Sequence, residues 1–411
     1  MLPIAFLTIL FQTLLHLSCT SRPADTSTTT TLVRGRGASC GKFSPHPLRG
    51  SNPLEFESTL KFGTEIEFPL AAPTQVEENL QGYREKLAEI CAKCRIDSQL
   101  KSCSLRDNTL RIQVDQSELV VLLGYDPGVL EITTMPLTYR ETEAWAGIID
   151  TFIFGAAKSM GEAFLNPLEE PNRWSGHVNV SWPDLEKDMV ESSRDPTIRE
   201  SMILMLNFYV DLQNHPELAM GVLGGDTRNA TPLAFGTPLE RKSLEDIIRF
   251  TRENRYANLR FLGLALTHPS PRSFADRFKT PNRDHRYNLI NTENIGSRWN
   301  KQNGSRLEIR SFFTPLRSEN MLAHYRIVKG RLKYLRASSS GRTHLVTYNS
   351  NRSIRSTFVK RGLQPGINLD EAAEAYLSYL QGTGLDPLKE SRYLRNPEVQ
   401  KAVRKKIGRC L

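Results

Sequence analysis

The sequence predicts an α+β fold with a mostly antiparallel sheet. Short segments alternate apolar and polar residues, the period-two pattern of half-buried strands. Longer segments repeat apolar residues at the helical period. The two kinds mix without the strict β-α-β alternation that a parallel sheet requires. Strands are expected at Leu60–Phe68, Thr109–Val114, Gly128–Thr134, Gly176–Trp182, Arg286–Asn291 and Ser305–Phe313. Helices are expected at Gln75–Cys94, Glu141–Met160, Thr197–Gln213, Leu239–Arg255, Glu319–Leu335, Leu369–Tyr379 and Pro397–Ile407.

The chain has 411 residues, 39% hydrophobic and 24% charged, enough for one large domain or two ordinary ones with a substantial core. Its net charge of +9 favours anionic partners: nucleotides, nucleic acid or an anionic envelope polymer. Much of the excess lies between Lys389 and Arg409, including Arg404-Lys405-Lys406. The ordinary reading of such a run is a solvated basic helix. No aromatic interleaving or nucleic-acid motif accompanies it, so nucleic acid is not expected as a partner.

Residues 1–19 read as an export segment, apolar from Leu2 to Leu17 and ending at Ser18-Cys19. The usual positive charge before the apolar run is missing. The end resembles a bacterial lipoprotein signal, in which a small residue precedes a lipidated Cys. Cys19 is the lipidation candidate, although His16 stands where a Leu is usual. Residues 20–55, rich in Thr, Ser, Pro and Gly, read as a flexible linker. The folded part is expected from near Leu60, with a catalytic domain over 56–385 and a basic helical tail over 386–411. Membrane anchoring through Cys19 and a cell-envelope location follow from this reading. The alternative is a non-working signal and a cytoplasmic protein. Of six cysteines, Cys91, Cys94 and Cys103 cluster. Disulfides or inert thiols fit better than zinc, because no second pair at zinc spacing follows Cys91-Ala-Lys-Cys94.

Four expected strands each carry one chemical face. In Phe62-Gly63-Thr64-Glu65-Ile66-Glu67-Phe68, Glu65 and Glu67 share a face, and Phe62, Ile66 and Phe68 share the other. The two carboxylates stand about 7 Å apart along the strand and repel, a penalty that a hard cation such as Mg²⁺ or Mn²⁺ removes. In Leu130-Glu131-Ile132, Glu131 stands opposite apolar neighbours. His177, Asn179 and Ser181 face away from Val178, Val180 and Trp182. Arg306, Glu308 and Arg310 share the polar face of the last strand. Singly, each is the pattern of a half-exposed strand. Together they supply four carboxylates, one His and two Arg, the groups that hold divalent metals and triphosphate oxygens.

Gly63-Thr64-Glu65-Ile66-Glu67-Phe68, Leu130-Glu131-Ile132-Thr133, Gly176-His177-Val178-Asn179-Val180-Ser181 and Leu307-Glu308-Ile309-Arg310, in this order, resemble the amidoligase family. That family is similar to glutamate–cysteine ligases and, more distantly, to glutamine synthetase. Tyr287-Asn288-Leu289-Ile290-Asn291 also fits, since the family often has a Tyr and an Asn there. The resemblance runs from about Leu60 to Phe313. Asn179 departs from it, standing where the family commonly has a second His.

The resemblance implies a curved, mostly antiparallel sheet forming a catalytic funnel, with helices packed outside. Glu65, Glu67, Glu131 and Glu308 would hold Mg²⁺ (or Mn²⁺), and His177 would join the metal or phosphate site. Arg310, and with it Arg306, would grip the γ-phosphate of ATP. Asn179 and Ser181 would lie near the nucleotide, and Tyr287 and Asn291 near the substrate. The reaction implied is ATP-dependent amide formation through an acyl phosphate, with Glu65, Glu67 and Arg310 catalytic. Small-molecule or peptide carboxylates and amines are the expected partners.

Asp226 and Asp284 fit turns or caps as well as a base. Gly221–Gly225 fits an ordinary loop as well as a lid. Trp174 and Trp299 fit packing as well as a pocket wall. His215, His268, His324 and His344 read as structural. A ligase needs ATP, of which exported compartments contain very little, so signal and site pull apart. An envelope lipoprotein that uses the fold as a binding module is therefore carried beside the ligase, with a metal-dependent amide hydrolase as a third reading.

Overall fold

The computed structural model describes residues 53–94, 102–114, 117–126, 128–164, 175–186, 195–218, 238–267, 289–295, 304–338, 346–349 and 368–408. The export segment with Cys19, linker residues 20–52, Tyr287, Asp226, Asp284, Gly221–Gly225, Trp174, Trp299, His268 and His344 lie outside these residues. The described residues all belong to one unit, Ser44–Leu411. None of their helices is long and apolar enough to cross a membrane.

A short helix, α1 (Pro53–Thr59), leads into β1 (Lys61–Pro69). α1 extends the folded part ahead of Leu60, because Phe56 packs on Trp182 at 6.4 Å between ring centroids. α2 (Val76–Cys94) follows, then β2 (Ser102–Arg106), β3 (Thr109–Val114), β4 (Ser117–Asp126), β5 (Val129–Thr134) and β6 (Leu137–Thr138). α3 (Tyr139–Ile149), a π-helical turn (Asp150–Phe154) and α4 (Gly155–Ser159) precede β7 (Ser175–Ser181). After it come α5 (Pro196–Gln213), α6 (Pro238–Arg252), α7 (Leu259–Thr267), β8 (Ile290–Asn291) and β9 (Leu307–Phe313). α8 (Ser318–Ser338), α9 (Leu369–Leu380) and α10 (Pro397–Gly408) complete the chain.

The strands form one nine-stranded sheet in the order β2-β3-β4-β5-β1-β7-β9-β8, with β6 beside β1. Every pairing is antiparallel. The sheet is curved and open, so the α+β class with a mostly antiparallel sheet is the observed one. β1 lies in the middle of the sheet, paired with β5 and β7, and both of its faces are buried. Thr64 illustrates the helix side: its hydroxyl lies 2.5 Å from the Tyr325 hydroxyl of α8, and Phe62 stacks on the Tyr325 ring at 4.8 Å. Ile66 and Phe68 continue that apolar face.

Two differences from the expected elements have physical causes. The helix expected without interruption over Glu141–Met160 is broken by the π turn. Its wider turn lets Phe152, Ile153 and Phe154 all be buried in succession. The Asp150 carboxylate anchors the turn, accepting from the Ser318 backbone N–H at 2.7 Å and its hydroxyl at 2.6 Å. The helix expected at Pro397–Ile407 within the basic stretch forms as α10, but it is docked rather than solvated on all sides: Val399 and Val403 are fully buried in the common core.

Candidate functional site

Strand register assembles the site. Glu65 on β1 faces His177 on β7, and Glu67 faces Glu131 on β5. Asn179 on β7 faces Glu308 on β9, and Glu308 faces Asn291 on β8. Residues far apart in sequence thus form a band across four adjacent strands and reach β5. Two glycines permit the close strand packing. A Cβ at Gly63 would lie 2.8 Å from the Thr134 carbonyl oxygen, and one at Gly176 would lie 2.6 Å from that of Phe313. Beside His177 the β7–β9 register shifts: Val178 pairs with Ile309, but Gly176 pairs with Phe312. One residue, His177, therefore opposes two, Arg310 and Ser311. Such bulges re-aim side chains at active sites.

The side chains form one buried network. His177 Nδ1 lies 2.7 Å from Glu65 Oε2 and 3.4 Å from Glu308 Oε1, and its Nε2 lies 3.5 Å from Glu67 Oε1. Asn179 Nδ2 donates to Glu65 Oε1 at 2.9 Å, and Arg306 Nε donates to Asn179 Oδ1 at 3.1 Å. Arg310 Nη1 donates to Glu308 Oε1 at 2.7 Å. Glu65, Glu67, His177, Asn179, Arg306 and Glu308 are all buried. One nitrogen, Arg306 Nη1, is buried with no hydrogen-bond partner among the described residues.

Burial alone would raise the Glu65 carboxyl. The hydrogen bond and charge of His177, with help from Asn179 and Arg306, hold it at about 2 instead. Burial alone would lower His177. The Glu67 charge and the Glu65 hydrogen bond, against Arg310, lift it to about 9. Glu308 is raised, first by burial and then by the Glu65 charge, despite Arg310, His177 and Arg306.

The donor set fits a metal ion. One ligand atom each from Glu65, His177 and Glu308 lie within 4.8 Å of one another, a spacing that an ion closes as it draws its ligands in. Two carboxylates with one imidazole are a donor set that can hold a divalent ion.

Three other expected site residues lie beside this network. Asn291, expected beside substrate, donates through Nδ2 to Glu308 Oε2 at 3.1 Å. Ser181, expected beside nucleotide, donates to the Ser305 carbonyl at 2.6 Å. Glu131 sits across from Glu67, outside the Glu65–His177–Glu308 group, and accepts from the Thr133 hydroxyl at 3.2 Å. Asn294, which no motif singled out, lies 3.4 Å from Glu308 Oε2 through its Nδ2.

No family model and no curated protein matches the chain. Among solved structures it is similar to a GmaS/ADP complex, at 12% identity and a TM-score of 0.38, over 86% of this chain and 71% of that one. It is also similar to the complex between the prokaryotic ubiquitin-like protein Pup and its ligase PafA. There the identity is 10% and the TM-score 0.34, over 87% of this chain and 67% of that one.

Proposed function

We propose that the protein is an ATP-dependent carboxylate–amine ligase that uses Mg²⁺ or Mn²⁺. One observation carries the reading. The Glu65–His177–Glu308 group adjoins Arg306, whose buried Nη1 has no partner among the described residues, so a cation site and an anion-gripping arm share one face.

In this reaction ATP transfers its γ-phosphoryl group to a carboxylate, giving an acyl phosphate and ADP. The amine then attacks the acyl carbon, phosphate leaves, and the amine loses a proton. A divalent cation supplies charge neutralisation for the triphosphate oxygens. Glu65, His177 and Glu308 would hold it, with Glu67 and Glu131 completing the acidic face. Arg306 and Arg310 orient phosphate oxygens through their planar forks. Small-molecule or peptide carboxylates and amines are the substrate classes.

Phosphate release from Mg²⁺–ATP tests the proposal, with a panel of carboxylates and amines. Release that requires both co-substrates and is lost in Glu308→Gln is expected. No release with any pair, from folded protein, would contradict it.

A second reading rests on the Cys91–Cys103 disulfide. Such a bond belongs to an oxidising compartment and accords with the export segment and Cys19 lipidation expected from the sequence. An envelope protein that keeps the fold as a binding module would bind ligands at this site without nucleotide turnover. Palmitate labelling of wild type and Cys19→Ala tests the anchoring.

A further inference from the structure

Both ends of the Asn179 side chain are committed inside the site. Nδ2 donates to Glu65 Oε1 at 2.9 Å, and Oδ1 accepts from Arg306 Nε at 3.1 Å. Arg306 Nη2 reaches the same Glu65 oxygen only at 3.7 Å. The amide therefore stands between a metal-site carboxylate and a guanidinium, with one short bond to each. Asn179 is 4% exposed, so loss of either bond would leave a buried polar group unsatisfied.

We infer that Asn179 is a positioning residue that fixes Glu65 and Arg306 relative to each other, and that it touches neither nucleotide nor substrate. The inference rests on the metal–nucleotide reading of this site. A direct Arg306–Glu65 fork would consume the guanidinium. Through the amide, Arg306 spends Nε on Asn179 and keeps Nη1 for an incoming anion. Glu65 has His177 Nδ1 on Oε2 at 2.7 Å and Asn179 on Oε1, so both oxygens are oriented. Partners that orient a ligand in this way typically contribute about 10–100-fold to metal affinity.

The chemistry needed at this position is one donor and one acceptor with no net charge. An imidazole offers the same pair, whereas an aliphatic side chain of similar size offers neither. The test is a Mn²⁺ titration of the full chain, read by calorimetry, for wild type, Asn179→Leu and Asn179→His, with a metal-free thermal melt of each. In Asn179→Leu, Mn²⁺ affinity is expected to fall at least tenfold, and Asn179→His is expected to recover most of it. A positioning role moves metal affinity in the folded variant, recovered by the histidine, beyond any shift in metal-free Tm, which a general packing role would not do. Should Asn179→Leu fail to fold, Asn179→Ser, which offers a shorter side chain to both partners, is expected to weaken Mn²⁺ in its place. A fall smaller than tenfold in the folded variant, with wild type binding normally, overturns the inference and leaves the metal reading standing. Absence of Mn²⁺ binding by wild type overturns both.

Discussion

Glu65 and His177 meet across β1 and β7 at 2.7 Å, and the same imidazole reaches toward Glu67 and Glu308 at 3.5 and 3.4 Å. One cationic ring thus lies among three buried carboxylates. Without it, like charges are left facing each other in a medium that screens them weakly. His177→Leu is expected to lower Tm in the presence of a chelator by several degrees, corresponding to about 3–5 kcal/mol. Because the variant also lacks one ligand of the metal group, millimolar Mg²⁺ or Mn²⁺ should raise the Tm of wild type more than that of the variant. Equal metal-induced shifts in the two proteins would contradict the account.

The strands carrying the site were legible because each shows one polar and one apolar face. Thr109–Val114 matches the expected span, and the cores of β1, β5, β7 and β9 fall within their expected ones. β4 was not anticipated, because Leu119-Val120-Val121-Leu122-Leu123 is apolar throughout and shows no alternation. β2, which pairs with β3 at the edge of the sheet, is short. The turn between β2 and β3 places Asp107 and Asn108 at φ of 46° and 59°, and this Asp-Asn pair was a usable hairpin signal. The start of α3 was also signalled. Thr138 and Glu141 form a capping box, with Thr138 N–H donating to Glu141 at 2.7 Å and Glu141 N–H donating to Thr138 at 3.2 Å. The motifs supplied the polar residues, but only strand pairing shows which are spent on one another. Asn291, which donates to Glu308, is an example.

His324 on α8 predicts acid lability. Its ring lies 4.5 Å from that of Phe312 and 4.6 Å from that of Phe313, and neither nitrogen has a hydrogen-bond partner among the described residues. Burial, reinforced by the Arg326 charge, lowers its pKa from 6.5 to about 3. The folded state therefore prefers the neutral ring. Stability is fully present above pH 6.5 and is lost as pH falls toward 3, by an amount on the order of several kcal/mol. Between pH 6.5 and 4, Tm of the wild type should fall more steeply than that of His324→Leu. Parallel curves would show that this ring does not contribute.

Arg331 and Asp211 tie α8 to α5. Arg331 donates Nε and Nη2 to the two carboxylate oxygens at 2.8 and 2.6 Å, and Nη1 to the Tyr379 carbonyl of α9 at 2.8 Å. Both side chains are more than nine-tenths buried. Arg331→Met leaves Asp211 uncompensated and is expected to cost about 3–5 kcal/mol in a urea titration. Adding Asp211→Leu should recover a large part. A double variant less stable than Arg331→Met alone would count against this pairing.

The Cys91–Cys103 bond closes a 12-residue separation between α2 and β2. Cross-linking a loop of that length stabilises by about 3 kcal/mol. Reduction, or Cys103→Ser, should lower the urea midpoint accordingly. An unchanged midpoint, with the reduced state verified by thiol counting, would contradict it.

The central claim is that Glu65, His177 and Glu308 hold a cation through which this face binds nucleotide. Calorimetric titration of ADP into the full chain tests it most directly, with Mg²⁺ and with chelator, for wild type and Glu65→Gln. The account predicts ADP binding by wild type only with Mg²⁺, and a loss of at least about 100-fold in Glu65→Gln. Equal ADP binding by both proteins, or no binding by folded wild type, would contradict it.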